Sequence, residues 1–465
     1  MLAPAVLRAL TDIVGPAWCR TDTPALDACA ADALGIAHRP EAVVAPATTD
    51  EVAAVVRACV AGRVPMVVRG AGTGYTGGAV PVAGGVVISM ERFTRILEVD
   101  TLNLVAVVEP QVITGELQRA VEARGLFYPP DPASLDRSSI GGNVAECAGG
   151  PRAFKYGTTK RYVLGLEAVL PSGEVVRTGS KAVKNVVGYD LTQLLVGSEG
   201  TLAIVTKVIL RLIPKPSARA VLLAVFDGVR PAVDAVTGLL EGRVVPAALE
   251  FIDGRSLAAL RAYRPSALIP AGAGALLIIE VDGAPEAVAA EADTVDAACR
   301  ASGASRVERA GSEAEAAALW DLRRQLSHAL RATGLVKINN DVVVPRGRVP
   351  ELMDAVADLR RDFGIDIACF GHAGDGNIHV NLMLPSDDAA ARAAGLEAER
   401  RLFERVVELE GSISGEHGIG FTKSRYLELE LDAAQIDLMR RVKAAFDPLG
   451  LLNPGKIFPE SQPGR

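Results

Sequence analysis

The sequence predicts an α+β protein in two parts, on three observations. Val-rich segments alternate with amphipathic stretches from about Ala45 onward, Pro214-Lys215-Pro216 interrupts the chain, and beyond it strand candidates alternate with long Ala-rich helices. Proline breaks both helix and ladder, so this triplet is the clearest boundary. The texture after it reads as a second α+β layer structure. The expected segments are 1–215, with its core from about residue 40, then 216–425, and a C-terminal helical segment 426–465. At 465 residues, two to three domains of about 150 residues each are expected.

In chain order, Thr49-Asp50-Glu51 opens a helix that runs through Val60, with Asp50 as its expected cap. Pro65 to Arg69 reads as a buried strand entering a glycine-rich loop, Gly70 to Gly78. Gly85 to Met90 and Leu104 to Val108 are further strands, and Thr114 to Arg124 a short helix. Leu166 to Leu170 and Glu174 to Val176 flank a hairpin turn at Pro171-Ser172-Gly173. Thr201 to Leu212 is a long apolar strand. In the second part, Ala275 to Val281 is a strand, and Pro285 to Ala301 and Ser312 to Ala332 are helices. Asp432 to Phe446 is the last helix.

Composition excludes several classes. A net charge of −7 without a Lys/Arg block argues against nucleic acid, whose phosphates need clustered positive charge. The six cysteines are scattered with no Cys-x-x-Cys pair, so neither a disulfide scaffold nor an iron–sulfur cluster is expected. Arg8 and Asp12 interrupt the apolar N-terminus, so no signal peptide is expected. No uncharged apolar run reaches membrane-spanning length. A cytoplasmic protein is the resulting expectation.

Gly72-Thr73-Gly74-Tyr75-Thr76-Gly77 satisfies G-x-G-x-x-G. A nicotinamide-binding turn needs a helix to begin inside the motif. Gly78, Pro81, Gly84 and Gly85 follow instead, so that reading is rejected. A glycine-dense loop between strands can still present backbone N–H groups to an anion. Ser138-Ser139-Ile140-Gly141-Gly142-Asn143, with Gly149-Gly150 and Gly157, reads as a second such loop, and Gly197-Ser198-Glu199-Gly200-Thr201 as a third. Three of them suit an extended dinucleotide.

Arg69-Gly70-Ala71-Gly72-Thr73-Gly74, Gly141-Gly142-Asn143, Gly188-Tyr189-Asp190-Leu191 and Gly197 to Leu202 together resemble the flavin-binding family typified by vanillyl-alcohol oxidase and p-cresol methylhydroxylase. Within it, the chain resembles the glycolate oxidase catalytic subunit, D-lactate dehydrogenase and D-2-hydroxyglutarate dehydrogenase branch, from about Pro40 to Pro459. The resemblance implies a two-subdomain FAD-binding domain, a cap domain with an antiparallel sheet, and a C-terminal segment returning to the FAD domain. It implies that Arg69, Gly70, Ala71, Gly72, Thr73, Gly74, Tyr75, Gly77 and Gly78 hold the FAD pyrophosphate. Pro130, Ser134, Gly141, Gly142, Asn143, Gly157, Gly200, Ile204 and Val205 would line the rest of the cofactor, and Asn453 and Lys456 would contact it. Tyr75 and Thr76 stand where covalent relatives carry a histidine, so non-covalent FAD is expected.

Three of the five histidines fall in Gly371-His372-Ala373-Gly374-Asp375-Gly376-Asn377-Ile378-His379 and Gly415-Glu416-His417-Gly418. The flanking glycines suggest imidazoles on exposed turns. Two imidazoles and a carboxylate suit catalytic zinc, and equally an iron(II) facial triad; a redox-inert metal fits better beside a flavin. The resemblance assigns His372, His379 and Glu416 as ligands and His417 as the base. It also makes Arg323 the arginine for the substrate carboxylate, and Ser327 matches a hydroxyl residue of a relative. Asn381, on the same strand face as His379, is read as a substrate hydrogen-bonding residue. The run Lys337 to Asp341 does not superpose on the lysine region of the hydroxyglutarate enzymes, which favours a smaller acid such as lactate or glycolate.

The expected activity is oxidation of a D-2-hydroxy acid to the 2-oxo acid. The expected electron acceptor is an iron–sulfur subunit, an electron-transfer flavoprotein, or a quinone reached at the inner face of a membrane through a partner; a homodimer is compatible with the sequence. The competing reading is a flavin-binding electron-transfer or assembly subunit with no substrate chemistry, which would have no need of the histidine–carboxylate set.

Overall fold

A computed structural model describes residues 2–459. Its contacts divide them into two compact units. The first comprises residues 2–149, 158–215 and 416–459, and the second residues 150–157 and 216–415.

The first unit has two principal sheets. In the smaller, Ala42–Val44 and Met66–Arg69 flank Val86–Ser89 in parallel, with Cys19–Arg20 as an antiparallel edge. Its strands are nearly all apolar, as parallel strands covered on both faces require. The helix Thr49–Ala61 packs Val52, Val55, Val56 and Cys59 into the same core as Met66, Val86 and Ile88. Its cap is Thr48, whose Oγ1 accepts the Glu51 N–H at 3.1 Å; Thr48 has the extended backbone a cap requires, whereas Asp50 already lies in the first turn. The second sheet is antiparallel, in the order Ile96–Asp100, Val105–Val108, Ile204–Arg211, Val163–Val169, Val175–Gly179. Ile204–Arg211 starts later than expected because Thr201 still belongs to the preceding turn, its amide and Oγ1 both donating to the Ser198 carbonyl at 2.9 and 2.7 Å. The returning chain joins the smaller sheet, where Leu452 bridges to Met66 and the Asn453 N–H donates to the Met66 carbonyl at 2.6 Å.

The second glycine stretch is not a loop. Ile140–Glu146 is a helix capped by Ser139, and Gly141 is small because a Cβ there would stand 2.5 Å from Pro110 Cβ. Close packing, rather than a turn, is what its glycine serves.

The second unit is built on a seven-stranded antiparallel sheet. Its order is Arg306–Arg309, Ala218–Phe226, Ala275–Gly283, Ala248–Asp253, Asp366–His372, Asn377–Leu384, Val336–Val343. Helices Gly254–Tyr263 and Glu313–Arg331 cover one face, packing Leu257, Leu260, Leu322 and Leu326 against Ile252, Ile278, Phe370 and Met383. Helix Ala389–Glu408 covers the other, where Gly395 meets Ile338 and Leu384. Side chains alternate between faces along a strand. Glu250, His372, His379, Asn381, Asn339 and Asp341 therefore share the face that carries Phe370 and Met383.

Candidate active site

In the first unit the strand Met66–Arg69 feeds a loop with no regular structure until Val86. Gly72 and Gly77 are left-handed, at φ 66° and 81°, a region other residues enter at a cost. A Cβ at Gly77 would stand 2.0 Å from the Phe421 ring. The Gly77 amide donates to Asp32 Oδ2 at 2.9 Å and the Ala71 amide to Ser139 Oγ at 3.3 Å. The amides of Gly72, Thr73 and Gly74 meet no acceptor among the described residues. Arg69 Nη1 and Gln111 Oε1 are buried without hydrogen-bond partners. Successive unpaired amides beside a guanidinium are the donor set for a phosphate anion, so the loop fits the pyrophosphate of FAD.

His417 belongs to the same unit and is fastened to that loop. Its ring stacks on Tyr75, centroids 5.3 Å apart and planes 24° apart. Its carbonyl accepts from Thr76 Oγ1 at 3.1 Å, and the Phe421 amide returns to the Thr76 carbonyl at 3.1 Å. The Glu416 carboxylate lies against Gly149, where a Cβ would be 2.6 Å from Oε2. Glu416 and His417 present ligand atoms within 4.8 Å of one another.

Other expected cofactor residues of this unit do structural work. The Asn453 Nδ2 donates to the carbonyls of Gly78 (2.9 Å) and Glu199 (2.8 Å). Lys456 Nζ donates to the Val80 carbonyl and to Asn453 Oδ1, and burial pushes its amine down to about 8. Asn143 Nδ2 donates to Thr114 Oγ1 at 2.7 Å, and the Pro130 carbonyl accepts from Gln118. The Ser134 carbonyl accepts the Arg137 and Ser138 amides. Ile204 is buried in the core of the smaller sheet, and Val205 after it is half-buried. Gly157 falls in the second unit, at the end of the 150–157 stretch.

In the second unit His372 and His379 stand on neighbouring strands, centroids 5.3 Å apart. They are 4 % and 6 % exposed. This corrects the expectation of exposed turns: the turn between the strands takes the glycines, with Gly376 at φ 83°, while both imidazoles lie within the strands. His372 Nδ1 meets Glu250 Oε1, and the other Glu250 oxygen accepts from Arg323 Nε. Burial alone would raise the Glu250 carboxyl, but Arg323 and His372 outweigh it and hold it down at about 2. Arg323 is 5 % exposed, its guanidinium 4.8 Å from the Phe370 centroid. A carboxylate on one ring nitrogen is what orients a metal-binding imidazole. Asp341 accepts from Asn377 Nδ2 and from the Gly415 amide, and its Oδ1 lies 3.6 Å from His379 Nδ1. Asp341 and His379 also present ligand atoms within 4.8 Å of one another. Imidazoles with hard carboxylates form a donor set suited to a divalent cation.

Asn381 is fully buried, and its amide serves the sheet. Nδ2 donates to the carbonyls of Ala368 and His379, and Oδ1 accepts from Asn339. Both Nδ2 protons are therefore engaged by main-chain carbonyls. Lys337 donates to Ser327 Oγ at 2.9 Å, and burial, with Arg331 nearby, pushes its amine down to about 8. Sequence reasoning missed Glu250, Asp341 and Glu199. A lone acid inside Ala248-Leu249-Glu250-Phe251-Ile252 was the available signal for the first, because such a charge must be paired.

Residues 40–179 match the FAD binding domain model and residues 215–457 the model for FAD linked oxidases, C-terminal domain. The chain is 44% identical over 421 residues to glycolate oxidase subunit GlcD of Bacillus subtilis, covering 90% of this chain and 89% of that protein. It is 36% identical to D-lactate dehydrogenase of Anaerostipes hadrus, covering 90% of each. It is 35% identical to D-2-hydroxyglutarate dehydrogenase of Stutzerimonas stutzeri, covering 98% of this chain and 100% of that one. Among solved structures, p-cresol methylhydroxylase with substrate bound superposes with a TM-score of 0.80 at 18% identity, over 97% of this chain and 96% of that one. The fold is therefore that of the vanillyl-alcohol oxidase and p-cresol methylhydroxylase group. The chain belongs to the family of FAD-linked oxidoreductases.

Proposed function

We propose that this flavoenzyme oxidises a D-2-hydroxy acid, glycolate or D-lactate first and D-2-hydroxyglutarate second, to the 2-oxo acid. The observation that carries the reading is His417: an imidazole stacked on Tyr75 of the cofactor loop supplies a base at that loop. The names of the relatives point to the same substrates.

FAD, held non-covalently by the 70–78 loop and Arg69, would accept a hydride from the substrate α-carbon. A divalent cation, zinc in our reading, would be held by His372, His379 and Glu416, with Asp341 beside His379, and would acidify the 2-hydroxyl. His417 takes the hydroxyl proton, a role for which an imidazole is suited near neutral pH. Arg323 pairs with the substrate carboxylate through the nitrogens that Glu250 does not use. Glu250 keeps that guanidinium and the His372 ring in fixed orientation. Lys337, bonded to Ser327, adds a cation for a second carboxylate when the substrate has one.

Electrons then pass to a separate acceptor, an iron–sulfur subunit, an electron-transfer flavoprotein or a quinone. Three relatives' names contain the word subunit, which supports a protein acceptor, and no described helix is long and apolar enough to cross a membrane. The test is a screen of D- and L-lactate, glycolate, malate and 2-hydroxyglutarate with an artificial dye, before and after chelation. Turnover of D-acids or glycolate that falls on chelation and returns with zinc is expected. Activity confined to L-acids, or indifferent to chelation, contradicts the reading; flavin with no activity on any acid favours an electron-transfer subunit.

A further inference from the structure

We infer that Glu199 is a positioning residue for the reaction, its carboxylate fixing the turn that aims His417. The inference rests on the reading of His417 as the base. Glu199 is 5 % exposed and left-handed at φ 51°. Its Oε1 accepts the Ile419 amide at 2.8 Å and its Oε2 the Gly420 amide at 2.6 Å. Gly418 and Gly420 on that turn are themselves left-handed, at φ 81° and 53°. A turn with two glycines has wide conformational freedom, and two amides converging on one carboxylate select a single path through it. His417 is the residue that enters this turn.

The clamp is also tied to the cofactor loop. Asn453 Nδ2 joins the Glu199 carbonyl to the Gly78 carbonyl, and Thr76 holds the His417 carbonyl. A second carboxyl sharpens the assignment. A Cβ at Gly418 would stand 2.4 Å from Glu146 Oε2 and 3.0 Å from Glu199 Oε1. Two acids so close in a buried setting do not both ionise. Glu146 Oε2 has no partner; burial, with Glu199 and Asp32 adding to it, raises the Glu146 carboxyl well above its usual range. Burial raises the Glu199 carboxyl too, less far because the Ile419 and Gly420 amides, Lys456 and Lys423 oppose it. Glu199 is accordingly the member of the pair that ionises first, and it is the one whose two oxygens hold the turn.

The experiment compares flavin-loaded Glu199→Gln, Glu199→Asp and Glu146→Gln with wild type, using D-lactate and a dye. A glutamine keeps one acceptor of the two, so Glu199→Gln should retain flavin absorbance and KM while kcat falls about 10- to 100-fold, as misplacement of a catalytic group by about 1 Å does. Glu199→Asp keeps the charge and should recover part of that loss. Glu146→Gln mimics a neutral acid and should leave kcat within about twofold. Wild-type kcat in Glu199→Gln overturns the inference, as does loss of flavin in both Glu199 variants. His417→Asn separates the two levels. Full turnover there removes the base itself, whereas an inactive His417→Asn beside a fully active Glu199→Gln removes only the positioning role.

Discussion

The two units position chemistry by opposite means. In the first, the groups that matter are backbone amides and a turn, held by left-handed glycines and by side chains that bond to main chain. In the second they are side chains on one face of a sheet, placed by strand register: Asp341 opposite His379, and Glu250 opposite His372. Substitution should therefore hurt the first unit through lost shape, and the second through lost charge partners.

The largest expected effect is His417→Asn. General-base catalysis contributes about 10²- to 10⁴-fold, so turnover should fall by that order while the flavin spectrum stays. Next is Gly77→Ala. With φ at 81° and Phe421 at 2.0 Å from the new Cβ, the loop must reshape, and equilibrium dialysis should show FAD affinity at least about tenfold weaker, a cost of about 1.4 kcal/mol or more. Unchanged affinity would mean the loop is not the cradle.

In the second unit, Glu250→Gln leaves Arg323 buried without its anion. Breaking such a pair costs about 3–5 kcal/mol, read by urea denaturation, and the loss should exceed that of any exposed ion pair on the same unit. The smallest effect is at Lys337. Its folded pKa, near 8, lies below the ordinary 10.5, so between those values the unfolded chain binds the extra proton and stability rises with pH. Lys337→Met should remove that alkaline rise, gaining at most about 3 kcal/mol at pH 7, with glycolate turnover little changed. A persisting rise would locate the titration elsewhere, with Lys456 the next candidate.

The difference between the units also explains what was legible in the sequence. Strands and helices with strong periodicity, such as Pro285–Ala301 and Ala275–Gly283, were readable because burial of one face writes itself into local order. The glycine loop was readable because φ above zero restricts the residue type. Ile140–Glu146 was not, since its Gly141 serves packing against Pro110, a partner about thirty residues away. Asp341 and Glu250 were invisible as partners of the histidines because register across non-adjacent strands, rather than spacing along the chain, brings them together. The same holds for Glu199, whose amide partners lie more than two hundred residues later.

Anaerobic mixing of the flavin-loaded protein with D-lactate or glycolate, followed at the visible flavin band, tests the central claim most directly. Wild type should bleach in a single fast phase that slows when the substrate carries deuterium at C2, and His417→Asn should stay yellow. Bleaching of His417→Asn at the wild-type rate, or no bleaching of wild type by any D-2-hydroxy acid, would contradict a base held at the cofactor loop.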